Sequence, residues 1–83
     1  MTIEIKLIGF GGDQPARFNG KNRLHIDVET PATVRNLLQS AGIEEASDLI
    51  AMDTETVIPR DQWDESRICD QTILTILSAI EGG

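Results

Sequence analysis

The stretch 29-ETPATVRNLLQSAGI-43 decides how the rest of the chain folds. Val34, Leu37, Leu38 and Ala41 fall at i, i+3, i+4 and i+7, one apolar stripe on a helix of two to three turns. Thr33 can cap its start, or Thr30 can with Pro31 at the first helical position, and Gly42 supplies the left-handed residue that ends it. A stripe of this kind needs an apolar sheet face to cover, and the flanking segments offer one.

Before the helix, Thr2 to Ile8 alternates, with Ile3, Ile5 and Leu7 on one face and Glu4 and Lys6 on the other, which is the period of a half-buried strand. Arg23 to Val28 repeats the pattern through Leu24, Ile26 and Val28. Between them "GFGGDQPARFNGKN" is full of turn formers, so the two runs read as a hairpin with a long, mobile tip. After the helix, Leu49 to Met52 suits a brief strand, "VIP" adds another, and Arg60 to Gln71 reads as a polar, turn-rich stretch. The last strand, "TILTILSAI", is the most apolar of all.

The order strand, strand, helix, short strand, short strand, final strand predicts an α+β domain in which one main helix packs across a mixed sheet of four to five strands. Ubiquitin-like β-grasp folds have that order, with the first and last strands parallel at the centre of the sheet, where apolar side chains are needed on both faces. The expected organisation is a single domain over residues 1–80 followed by a tail over 81–83. At 83 residues, 40% hydrophobic and 25% charged, a domain of this length buries roughly 60 to 65% of its unfolded surface. That is too little for a deep substrate cavity, and an enzyme with its own enclosed site is disfavoured.

A net charge of −7 sets the chain against phosphate backbones and anionic lipid surfaces, so neither nucleic acid nor a membrane is an expected partner. The lone Cys69 cannot make an internal disulfide, no Cys/His spacing suits zinc, and no apolar run approaches ~18 residues. The expectation is a cytoplasmic protein with no bound cofactor or metal.

Several motifs carry less than they promise. Gly9-Phe10-Gly11-Gly12 follows a strand, but Gln14 stands where a dinucleotide fingerprint needs glycine, and a second strand follows instead of a helix. Gly12 to Asn22 has the wrong spacing for a phosphate-binding loop. His25 falls on the polar face of its strand with no nucleophile and carboxylate pair beside it, and Cys69 reads as a small filler ahead of the last strand. The carboxylates of Glu44, Glu45 and Asp48, and of Asp61, Asp64 and Glu65, lack the glycine-punctuated spacing of a calcium loop. Trp63 reads first as a packing anchor and second as a partner contact.

The end of the chain is different. The final strand is expected to fix Ile80 near the sheet edge and leave Glu81-Gly82-Gly83 projecting, ~10 Å when extended. Paired glycines are a poor way to end a strand and a good way to pass a narrow channel. With the segment Pro59-Arg60-Asp61-Gln62-Trp63 at its fixed distance from Gly82-Gly83, the last third of the chain resembles the ThiS/MoaD family of small sulfur carriers, the thiamine-pathway carriers in particular. The resemblance implies that Gly83 is the reacting residue. An E1-like adenylyltransferase would use ATP to activate its carboxylate, and a persulfide donor would supply the sulfur of a thiocarboxylate. An acceptor enzyme such as thiazole synthase would then take that sulfur. In this picture the chain is a carrier and not itself an enzyme. The molybdopterin-synthase small subunit, toward which the length leans, and a ubiquitin-like protein modifier are the alternatives.

Docking would use apolar residues on the outer sheet face near the tail. If Leu74 and Ile76 point to the helix, Thr75 and Leu77 point outward, making Leu77, Ile80 and Gly82 the contact candidates; the opposite assignment exchanges the two sets.

Overall fold

A computed structural model describes residues 1–10, 14–29, 32–44 and 48–78. In chain order the elements are β1 (Thr2–Ile8), β2 (Arg23–Asp27), β3 (Ala32–Thr33), α1 (Val34–Ala41), β4 (Leu49–Asp53), β5 (Thr56–Ile58), β6 (Arg67–Ile68) and β7 (Ile73–Ser78), with 3-10 turns at Ala16–Phe18 and Arg60–Gln62. Among the described residues the strands form a five-stranded sheet in the order β2-β1-β7-β4-β5 and a separate ribbon of β3 and β6. β1 and β7 are the parallel pair at its centre, and every other pairing is antiparallel.

Alternation explains the layering. Ile3, Ile5 and Leu7 of β1 and Leu74 and Ile76 of β7 point to one face, where Val34, Leu37, Leu38 and Ala41 of α1 cover them. Leu37, Leu38, Leu74 and Ile76 are fully buried. At about 1.5–3 kcal/mol for each such side chain, this helix-to-sheet contact dominates the stability of the fold. It also settles the two assignments of β7, because Leu74 and Ile76 are the inward set.

α1 starts at Thr33, whose Oγ1 accepts from the Asn36 amide while the Asn36 Oδ1 accepts from the Thr33 amide, a reciprocal cap. The alternative start, Thr30 with Pro31, lies outside the described residues. Gly42, at φ 75°, ends the helix as expected, with its own N–H on the Gln39 carbonyl and that of Ile43 on Leu38.

Two expectations are corrected. The described part of the hairpin tip is anchored and not a mobile excursion: Phe18 is buried in the core, the turn at Ala16–Phe18 sits over the end of α1, and the Arg17 guanidinium donates to the Ser40 carbonyl. Burying one phenylalanine offsets the cost of ordering a short turn. The polar stretch 60–71 is likewise more than turn, since Ile68 in β6 pairs with Ala32 in β3 and both are buried.

Candidate functional site

The last strand organises the other face of the sheet. In β7, Ile73, Thr75 and Leu77 point away from the helix, as parity requires once Leu74 and Ile76 face inward. Register then brings three apolar side chains into one row across the sheet: Ile8 of β1, Leu77 of β7 and Ile50 of β4. Ile8 and Ile50 stay 44% and 39% exposed, and Leu77 between them is half-buried. A second row, one residue pair away, runs Lys6, Thr75, Met52 and Val57, with Val57 exposed. Exposed apolar side chains gathered on one sheet face mark an interaction surface more often than they occur by chance.

The same face carries its charge to one side. Lys6 lies opposite Arg23 across the β1–β2 pairing, and Glu4 lies opposite His25. The Glu4 carboxylate is 3.6 Å from Arg23 and 3.2 Å from His25. In a chain of net charge −7, the outer face is thus apolar beside the end of β7 and of mixed charge toward the β2 edge, where Lys6 and Arg23 stand beside Glu4 and Asp27. Such a margin suits a partner that brings charges of both signs beside an apolar strip.

Chemistry within the described residues is sparse. No group of three or more His, Cys, Asp or Glu side chains among them could hold a metal ion. His25 is exposed with Glu4 as its neighbour, and Cys69 is an exposed thiol. Exposure corrects the expectation that Cys69 fills a packing gap; the short β6 ends at Ile68 and leaves its successor in solvent. A groove of about 430 Å³ is lined by Asp53, Val57, Pro59, Gln62 and Arg67 among others. It sits by the end of β4 where Asp53 pairs with Leu74, and Ser78 is at the other end, paired with Leu49. Nor does any described helix have the length and apolar character to cross a membrane.

Of the residues singled out in the sequence, Leu77 is where it was expected, on the outer face near the end of β7. Ile80, Gly82 and Gly83 lie outside the described residues. Missing from the sequence reading were Ile8, Ile50 and Val57. A signal for them existed: "LI" at 7–8, "LIAM" at 49–52 and "ILTIL" at 73–77 carry apolar residues on both parities, the mark of strands that meet something on each face.

No family model and no curated protein matches the chain. Among solved structures, the crystal structure of SAMP1 from Haloferax volcanii superposes on it with a TM-score of 0.68, covering 100% of each chain at 16% sequence identity. The fold is a ubiquitin-like β-grasp. Its parallel β1–β7 centre and its single described helix across one face are what the β-grasp offers here.

Proposed function

We propose that this protein is a sulfur carrier whose Gly83 carboxylate is adenylated by an ATP-dependent, E1-like enzyme and converted to a thiocarboxylate for thiamine thiazole synthesis. One observation carries the reading. The central strand β7 reaches Ser78 beside the exposed row Ile8, Leu77 and Ile50, so a partner seated on that row meets the chain where residues 79–83 begin. Those five residues, two of them glycine, span at most ~17 Å. The segment Pro59 to Trp63, in its spacing from Gly82-Gly83, supports the thiamine branch.

The chemistry needs a partner for a simple reason. A terminal carboxylate, with a pKa of about 3.3–3.7, is ionised at neutral pH and is a poor electrophile. Attack of its oxygen on the α-phosphorus of ATP expels pyrophosphate and leaves an acyl-adenylate. The terminal sulfur of a persulfide then attacks the acyl carbon, and AMP departs as the carbon–oxygen bond breaks. A thiol cleaves the resulting sulfur–sulfur bond, so a disulfide forms on the donor and the thiocarboxylate stays on Gly83. The carrier contributes a docking face and a tail that ends in two glycines, while the electrostatic work belongs to the enzyme that binds it.

The test is intact mass. Incubation with the cognate activating enzyme, ATP and a sulfur donor should shift a chain ending at Gly83 by the difference between sulfur and oxygen, and removal of Gly83 should abolish the shift. A chain that stays at its starting mass, or a mature chain that continues past Gly83, defeats the proposal. Retention of thiazole synthase as the acceptor supports the thiamine branch. Retention of the large molybdopterin-synthase subunit moves the carrier to that pathway, and Gly-Gly remnants of this chain on cellular lysines make it a modifier.

A further inference from the structure

Ser78 is the last described residue of β7, and three parts of the fold close on it. Leu49 pairs with it in register, and the carboxylate of the preceding residue, Asp48, accepts from the Ser78 hydroxyl at 2.9 Å. On the opposite flank Gly9, at φ 82°, leaves β1 so near that a Cβ there would lie 2.7 Å from the Ser78 carbonyl oxygen. No real side chain tolerates that approach to a backbone atom, so a glycine at this place keeps β7 close to β1. Behind β4, the Arg60 guanidinium lies 4.1 Å over the ring of Trp63, and its Nη2 donates to the Leu49 carbonyl at 3.3 Å. Trp63 is itself locked in the core by the bond from its Nε1 to the Ile58 carbonyl.

The segment Pro59 to Trp63 thereby reaches the end of β7 through a continuous path: indole, guanidinium, Leu49 carbonyl, Asp48 and Ser78. We infer that Asp48, Gly9 and the Trp63-backed Arg60 are positioning residues that hold the Ser78 end of β7 between β1 and β4, and with it the approach of Gly83 to a partner's nucleotide. The positioning role rests on the carrier reading above; the hold on Ser78 does not. The physical reason is tether geometry. If Ser78 frays, the freed residue adds ~3.3–3.6 Å to the reach and dilutes the carboxylate at the reacting phosphorus. The docking rows stay in place, so the loss belongs in kcat and not in KM.

The experiment uses the full chain and the variants Asp48→Ala and Arg60→Met, with Asp48→Asn as the conservative control that keeps an acceptor for the Ser78 hydroxyl. Amide hydrogen exchange should quicken about tenfold at Ser78 in the two disruptive variants, leaving Ile3 and Ile5 unchanged. In ATP–pyrophosphate exchange with the cognate activating enzyme, kcat should fall about two- to tenfold, the range that one net hydrogen bond controls, at unaltered KM, and Asp48→Asn should retain most of the activity. Unchanged exchange at Ser78 overturns the inference, as does equal quickening at Ile3 and Ile5, which signals general destabilisation. Quickened exchange with kcat intact, or Asp48→Asn as impaired as Asp48→Ala, overturns the positioning role. If the unaltered chain is never adenylated, the carrier reading fails by itself, and amide exchange alone decides whether these residues hold Ser78.

Discussion

The indole Nε1 of Trp63 donates to the carbonyl of Ile58 across 3.0 Å, with the whole ring buried at 1% exposure. The bond ties the turn at Arg60–Gln62 to the edge strand β5, and it makes this tryptophan an anchor of the fold. Trp63→Phe keeps most of the apolar volume but strands a buried carbonyl, at a cost of about 1–3 kcal/mol. Trp63→Ala adds a cavity and should cost about 3–5 kcal/mol. Urea unfolding measures both, and an alanine variant as stable as the parent would mean that the ring is not a core residue.

The cap of α1 can be tested in the same way. Thr33 and Asn36 exchange hydrogen bonds at the helix start, so Thr33→Ala should destabilise by about 1 kcal/mol. Gly42 sits at φ 75° with no side chain in its way but Pro15, 4.0 Å from where its Cβ would be. Gly42→Ala is therefore a test of backbone strain alone, expected at about 1 kcal/mol. Both values come from chemical denaturation, and a cost near zero for Thr33→Ala would show that tertiary burial alone holds the first turn.

The elements legible in the sequence are those long enough to show a period. β1 is read at its full extent because five consecutive alternations leave one register, and α1 because four apolar residues share one face. β3 and β6 were illegible for the opposite reason, each being two residues long. Ile68 alone cannot announce a strand, and only its pairing with Ala32 in space makes it one. Phe18 went unread because a single aromatic among turn formers has no pattern to belong to. At the site, Leu77 followed from parity once the helix-facing set was chosen, but its neighbours Ile8 and Ile50 are set by register between strands, which sequence does not print.

Phe18 turns the hairpin tip into part of the body, and its removal should say so. Phe18→Ala is expected to cost about 3–5 kcal/mol, far more than a change in a solvated loop, where about 0.5 kcal/mol is usual. Arg17→Ala removes a donor to the Ser40 carbonyl at the helix end and should cost less than about 1 kcal/mol, being exposed. Thermal unfolding of the two variants, compared side by side, separates core anchoring from end-capping; equal and small losses would return the tip to the solvent.

The outer face should separate docking from stability. Ile50 is 39% exposed and points away from α1, so Ile50→Asp should lower the unfolding free energy by about 1–2 kcal/mol and leave the domain folded. If the row Ile8, Leu77 and Ile50 seats the activating enzyme, the same change should weaken binding more than about tenfold, the loss of one buried anchor. Lys6→Glu, at the charged margin, is a different kind of change. It should change the association rate and its salt dependence while leaving the dissociation rate nearly untouched, because a rim charge acts on the approach of the partner. Surface plasmon resonance at two ionic strengths reads both variants. Full-strength binding by Ile50→Asp would remove this face from the reaction and leave the loops and the tail to bring the partner in.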